Sequence, residues 1–300
     1  MISVLIPTYN YSILELVNSI SKQLAESHVA YEIICFEDGS GSEFIDCNNE
    51  INKLPYTQLL VSNENLGRIK ARQALSDNAQ YDWLLFLDAD VLPKANDFIL
   101  NYINQLDLKS TAVFGGIAYK KSKPPIDYML RWKYGILKEE TIAAIRNRKP
   151  YRLIASANML IKKDVFNSIN KTITYQGYGM DNYFGSKLKE GQFVVNHIDN
   201  PVFHLGLEKS ANYLKKKEEA ANTLLYLLKS NSISASDNNL LHLFLKLKQW
   251  KLNYIVAFLF SISKTPIKSN LLGKNPSIKL LQFYRIGYMC FTDLNSNNLK

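Results

Sequence analysis

The sequence predicts an α/β protein on a mostly parallel central sheet, followed by a C-terminal helical extension. Three observations carry that expectation. Short apolar runs alternate with segments of helical periodicity through residues 1–110, over short connections. Polar residues gather at the carboxyl ends of those runs, where open parallel sheets bind their ligands. Beyond residue 228 a polar stretch gives way to alternating basic and apolar blocks.

"ISVLIP" at 2–7 is an apolar run ending on proline, as a buried parallel strand would. Ser12 and Glu15 have the spacing of a capping box, and Ile13, Leu16, Val17, Ile20 and Leu24 recur at helical spacing, so a helix should follow. "YEIICFEDGSGS" at 31–42 reads as a second strand entering a Gly/Ser turn. "TQLLVSN" at 57–63 is a third, and a helix is expected from Asn65 to Ala79. "WLLFLDAD" at 83–90 is the fourth, with a helix from Pro93 to Leu106, since proline suits a first helical position.

After residue 110 the alternation weakens. "TAVFGGIAYKK" and "LIASANMLIKKDVF" read as strands of a mixed part of the sheet, separated by the basic stretch 120–152. "QGYGMDNYFGSKLKEGQ" at 176–192 is a Gly-flanked turn entering a helix, with Asp181 in its first turn. "QFVVNHIDNPVFHLG" is a late strand pair ending on His204, and "KSNSISASDNN" at 229–239 is a linker.

Composition narrows the class. A 300-residue chain that is 47% hydrophobic and 12% aromatic can bury a substantial core. Cys35, Cys47 and Cys290 form no disulfide framework or metal spacing, which favours a reducing cytoplasm. "MISVLIPTYNYS" lacks the basic region and apolar length of a signal peptide, and no apolar run is long enough to span a bilayer. The net charge of +9 is unevenly placed. Residues 120–152 hold ten Lys/Arg against three acids, and residues 240–300 hold nine against Asp293 alone. Such regions favour anionic partners. Neither carries a nucleic-acid module, so a phospholipid or phosphorylated acceptor is expected rather than nucleic acid. The tail 240–300 therefore either binds an anionic membrane surface or packs as helices on the rest of the chain.

Asp88 and Asp90 pose a specific problem, because two carboxylates separated by one alanine end a strongly apolar run. Helix capping by Asp90, with Asp88 solvated, would account for one of them. A divalent cation bound to a diphosphate would account for both, since Mg²⁺ or Mn²⁺ takes carboxylate and phosphate oxygens together and removes the repulsion.

The set "SVLIPTYNYS", "EIICFEDGSGS", "NENLGRIKARQAL" and "DWLLFLDADVLP", in that order, resembles the nucleotide-binding half of family 2 glycosyltransferases of the GT-A fold. The resemblance covers about residues 2–110, with weaker signals to about 220. It implies that Pro7 and Tyr9 flank the nucleotide base and that Asp38 hydrogen-bonds it. Gly67 and Arg72 would lie near the uridine or diphosphate, and Asp88 and Asp90 would be the metal and ribose carboxylates. Many relatives open a later helix with Glu-Asp and carry Arg six residues on. Here Met180 replaces the first acid, Asp181 is the second, and Lys187 takes the Arg place, so the family's catalytic base maps onto Asp181 alone. His204 in "PVFHLG" resembles a histidine some relatives use as a further metal ligand, and is otherwise a hydrogen-bonded structural residue. Ser156 and Asn158 are candidates for acceptor contacts. His28, His197 and His242 have no such context, Cys35 belongs to the core, and "GSG" at 39–41 is a turn rather than a dinucleotide fingerprint.

The expected protein is thus a metal-dependent (Mn²⁺ or Mg²⁺) inverting glycosyltransferase acting in the cytoplasm or on the inner face of the membrane. It would move a sugar from a nucleotide-diphosphate donor, expected to be UDP-linked, to a glycan or lipid-linked glycan in cell-surface polysaccharide or lipopolysaccharide synthesis. Residues 1–228 would form the GT-A domain (1–110 for the donor, 111–228 for the acceptor), 229–239 a linker and 240–300 a basic helical tail. A nucleotidyltransferase is the nearest rival, although "SVLIPTYNYS" lacks its Gly-rich phosphate loop. A non-catalytic nucleotide-sugar binder is the other.

Overall fold

The computed structural model describes residues 1–106 and 109–297, with side chains through residue 295. The end of the basic tail therefore lies outside the described residues. The chain forms two compact units, interleaved in sequence. The first comprises Met1–Tyr119, Glu140–Gln176 and Lys187–Gly206, and the second Lys120–Glu139, Gly177–Ser186 and the chain from Leu207.

In the first unit, β1 (Ile2–Thr8), β2 (Tyr31–Asp38), β3 (Thr57–Ser62) and β4 (Trp83–Leu87) run parallel. Helix α1 (Leu14–Ala25) follows β1, α2 (Ser42–Asn48) follows β2, and α3 (Arg68–Asn78) follows β3. Next come β5 (Val91–Pro93), α4 (Phe98–Ile103), β6 (Ala112–Phe114) and β7 (Ile117–Ala118). The seven-stranded sheet also takes β8 (Asn158–Lys162) and β9 (Val195–His197), in the order β3-β2-β1-β4-β8-β6-β9. Strand β8 is antiparallel to both β4 and β6, while β9 is parallel to β6. A three-stranded sheet joins β5 and β7 to β10 (Val202–His204).

Alternation along the parallel strands builds two faces. Val4, Ile6, Ile33, Cys35, Leu85 and Leu87 meet the buried stripe of α1 (Leu16, Val17, Ile20, Leu24) together with Phe98, Ile99 and Tyr102 of α4. Helix α3 packs against β1 and β2, and against α7 (Lys163–Asn170), whose Phe166 ring lies 4.5 Å from Phe86. The first three strands step away from β1 in one direction and β4 lies on its other side, so the strand order reverses between β1 and β4. Crevices for ligands form outside the carboxyl ends of strands at such a reversal.

Three local expectations are corrected. The Ser12–Glu15 box does not form: the α1 terminus has no side-chain cap of its own, and Asn48 Oδ1 instead accepts from Ile13 N–H at 3.0 Å. Pro93 does not open a helix but ends β5, and α4 begins only at Phe98. The reason is a distant partner: Val91–Pro93 pairs antiparallel with Val202–His204. The late strands β9 and β10 are both present but belong to different sheets rather than pairing with each other.

In the second unit α5 (Met129–Tyr134) joins the long helices α9 (Ser210–Lys229), α10 (Asn239–Gln249), α11 (Asn253–Leu271) and α12 (Ile278–Asn297). Helix α6 (Ala143–Arg146) lies in the first unit, and α8 (Asp181–Glu190) begins in the second unit and ends in the first. Leu130, Tyr213, Leu214, Phe260, Ile267, Leu271, Ile278, Leu281 and Tyr284 form one cluster. Gly287 lets α12 approach α11, because a Cβ there would stand 2.7 Å from the Phe260 side chain. Asn238 caps α10 by accepting from Leu240 and Leu241 N–H at 2.8 and 3.1 Å. Among the described residues no helix is long and apolar enough to cross a membrane.

Candidate active site

The carboxyl ends of β1, β2 and β4 hold Pro7, Tyr9, Asp38, Asp88 and Asp90 of the residues singled out from sequence. Pro7 lies near the end of β1, and Tyr9, just past it, is exposed. The loop beyond is tied to the β2 loop, since Asn10 N–H donates to Ser40 Oγ at 2.8 Å and Gly41 N–H donates to Asn10 Oδ1 at 3.0 Å. Asp38, the last residue of β2, is buried and accepts from Leu66 N–H at 2.7 Å and from Gly67 N–H at 3.0 Å. Each of its oxygens keeps a further lone pair. Gly67 has φ of 81°, a conformation that strains any residue with a Cβ, and it starts α3.

That start fixes two arginines one helical turn apart. Arg72 is buried, and its Nη2 donates to Asp88 Oδ1 at 2.6 Å and to the Ser156 carbonyl at 2.7 Å. Arg68, half-exposed, reaches Asp88 Oδ2 at 2.9 Å and Ser156 Oγ at 3.1 Å. Burial alone would raise the Asp88 pKa, but the two guanidiniums outweigh it and hold the carboxyl below the usual range. The carboxylate that sequence alone left without a partner is thus compensated by arginines.

Asp90 is different. Burial pushes its pKa up and the Asp88 charge adds to that, while His204 opposes. His204 Nε2 stands 3.5 Å from Asp90 Oδ2, because β10 pairs with β5 and sets His204 opposite Val91. The His204 ring stacks on Tyr119 at 5.8 Å. Gly206 closes over the carboxylate: a Cβ there would lie 2.1 Å from Asp90 Oδ2 and 2.7 Å from its Cβ. Burial, then the Asp90 and Glu15 charges, raise the pKa of the Tyr11 phenol.

Among the described residues no three His, Cys, Asp or Glu side chains cluster to hold a metal by themselves. Asp90, in the turn entering β5, and His204 on β10 nevertheless offer a carboxylate oxygen and an imidazole nitrogen 3.5 Å apart, a donor set that Mn²⁺ accepts. A hard cation bound through one or two protein ligands is completed by substrate phosphates and water. A carboxylate whose charged form is disfavoured by burial and a like charge is one a cation relieves.

The remaining candidates are placed as follows. Ser156 is buried between the two arginines, while Asn158 is fully buried with its amide donating to the Gly116 and Asn200 carbonyls and accepting from Tyr102 Oη. Asp181 opens α8 in the second unit, and Lys187 on the same helix pairs with Glu190 at 2.5 Å. Arg146, within the basic stretch, is turned inward onto the Phe114, Gly115 and Ile198 carbonyls, so its charge is spent within the fold. Sequence reasoning missed Arg68, Tyr119 and Gly206. The spacing of Arg68 and Arg72 on one helical face was the available signal for the first.

The family model for glycosyl transferase family 2 matches residues 3–169. The fold is similar to that of the mannosyltransferase PcManGT from Pyrobaculum calidifontis, solved with GDP-Man and Mn²⁺, at 12% identity and a TM-score of 0.60 over 99% of this chain and 86% of that one. S. aureus TarS is 16% identical at a TM-score of 0.49, over 75% of this chain and 39% of that one. Its fragment 1–349 gives the same identity and TM-score over 99% and 91%. No curated protein matches the chain by sequence.

Proposed function

From a chain that belongs to glycosyl transferase family 2, we propose inverting transfer of a sugar from a UDP-linked donor to a hydroxyl of a glycan or lipid-linked glycan. The observation that carries this proposal is the constellation at the end of β4, where Asp88 is locked to Arg68 and Arg72 while Asp90 faces His204 two residues on. It lies where the strand order reverses, the position a nucleotide takes in such sheets.

In the proposed reaction Pro7 and Tyr9 border the base and Asp38 accepts from it. Gly67 lets the α3 terminus approach the phosphates without a side chain in the way, and Arg72 holds Asp88 for the ribose and metal. Asp90 and His204 would hold Mn²⁺ or Mg²⁺, which when bound offsets the charge developing on the departing diphosphate. The acceptor oxygen attacks the anomeric carbon opposite the leaving group, its bond forming as the carbon–diphosphate oxygen bond breaks. The hydroxyl proton passes to the Asp181 carboxylate. Ser156 would meet the acceptor, while Asn158, fully buried at the start of β8, would hold that strand end through the Gly116 and Asn200 carbonyls rather than touch the acceptor as expected from sequence. The setting proposed is cell-surface polysaccharide or lipopolysaccharide synthesis at the cytoplasmic side of the membrane, with residues 1–228 as the transferase domain.

Calorimetry of UDP- and GDP-linked sugars, with and without Mn²⁺, tests the donor half. Binding of a UDP-sugar that needs the metal and is lost in Asp90→Ala is expected. Metal-independent affinity, or tighter binding of a GDP-sugar, would refute the corresponding part.

A further inference from the structure

Helix α11 buries Ala257, Phe260, Ile267 and Leu271 within the second unit. A helix packed on one side ordinarily turns polar residues outward. Here the outward face is apolar too. Tyr254, Ile255, Phe258, Leu259 and Ile262, spaced to fall on one face, are 60, 55, 64, 43 and 63% exposed. Trp250, 67% exposed, and Leu252 extend the strip at its start. Contiguous exposed apolar surface of this kind marks an interaction site.

Charge identifies the occupant. Lys246 in the last turn of α10, Lys251 between α10 and α11, and Lys268 in α11 are all exposed. The sole acid of residues 240–300, Asp293, is buried and bonded to Lys248 at 2.8 Å. Every exposed charge of this stretch among the described residues is therefore positive. A second copy of the chain would bring two basic rims together, whereas an anionic surface complements the rim. Trp and Tyr beside an apolar strip suit the headgroup layer, and an apolar face with flanking lysines suits a helix lying flat in it.

We propose that the outward face of α11, with Trp250 and the neighbouring lysines, seats the protein on the anionic lipid surface of a bilayer, with Phe258, Leu259 and Ile262 entering the acyl boundary. This deepens the proposed function by naming where a lipid-linked acceptor is met, and only that consequence rests on it.

The test is co-flotation of the full-length protein with phosphatidylcholine vesicles, with or without phosphatidylglycerol. Wild type should float with the anionic vesicles and far less with the neutral ones. Ile255→Ser/Phe258→Ser/Ile262→Ser changes only exposed positions and should lower partitioning by about tenfold or more, with the melting curve unchanged. Lys246→Gln/Lys251→Gln/Lys268→Gln should weaken binding by a similar factor and flatten its salt dependence. Equal recovery of wild type and the serine variant, or no flotation of wild type, would overturn the proposal. So would a concentration-dependent dimer in sedimentation velocity that the serine variant abolishes, which would assign the face to a second copy. Flotation needs neither donor nor transfer. A protein that transfers sugar without floating refutes only this inference, and one that floats without binding a nucleotide-sugar refutes only the proposed function.

Discussion

Arg72→Met isolates the contact that organises the candidate site. The substitution keeps most of the aliphatic volume beneath the guanidinium, which lies 5.7 Å from the Phe86 ring centre. It removes two hydrogen bonds from a side chain only 8% exposed, one to Asp88 at 2.6 Å and one to the Ser156 carbonyl at 2.7 Å. Hydrogen bonds to charged groups contribute about 1.5–3 kcal/mol each, and breaking a buried ion pair from one side costs about 3–5 kcal/mol. Asp88 keeps Arg68 at 2.9 Å and is itself 24% exposed, so water recovers part of the loss. The lower end, about 3 kcal/mol, is expected. Arg68→Met breaks a half-exposed pair and should cost under about 1 kcal/mol. Arg72→Lys should recover less than half of the Met loss, because an ammonium lacks the planar fork. Urea unfolding by circular dichroism and tryptophan fluorescence reads the difference, a midpoint shift on the order of 1 M. A loss below about 1 kcal/mol for Arg72→Met would show that Asp88 is held by something other than Arg72.

Three further outcomes are expected. Gly206→Ala should displace the Asp90 carboxylate, weakening metal-dependent donor binding by about tenfold or more in calorimetry while metal-free nucleotide affinity changes little; unchanged metal dependence would refute the close approach. His197 is stacked on Phe114 and its pKa is lowered to about 4, by burial first and the Arg146 charge second, against the Pro150 carbonyl. The unfolded histidine binds a proton below about 6.5 and the folded one does not until about 4, so stability is full above the unfolded value and falls by about 3 kcal/mol across that window. His197→Gln should lack that increment when the two melting profiles are compared, and parallel profiles would contradict it. Asp90→Ala should abolish Mn²⁺-dependent donor binding and His204→Ala should reduce it less with Mg²⁺ than with Mn²⁺, measured by the same calorimetry.

The α/β GT-A fold was legible because its signals are local. The runs at 2–7, 31–38, 57–62 and 83–87 are strands because each is apolar and short, and the apolar stripe of α1 marks the helix after the first. What failed depends on pairing across the chain. Nothing near Pro93 announces a partner at Val202, so the local pattern alone predicts a helix start there. Nothing near Ser12 announces that Asn48 takes over the capping, its amide donating to the Tyr11 carbonyl at 2.9 Å while its oxygen accepts from Ile13. In the site, the resemblance pointed to Asp88 and Asp90 but could not divide their roles. The structure sets their surroundings apart, with Arg68 and Arg72 bonded to Asp88 and, through the β5–β10 register, His204 beside Asp90. Lys120–Glu139 shares a unit with the chain beyond Leu207 because Leu130 packs on Tyr213 and Leu214, a contact with no local signature.

The most direct test of the account is Asp181→Asn. Asparagine matches aspartate in shape and caps a helix terminus as well, so the fold and the donor site should be kept. A general base acts on the acceptor proton in the chemical step and contributes little to ground-state donor binding. Sugar transfer to the acceptor is measured beside donor affinity for both proteins. Turnover lower by about 100-fold or more at unchanged donor affinity is expected. Near-normal transfer by the Asn variant would contradict it and place the base elsewhere.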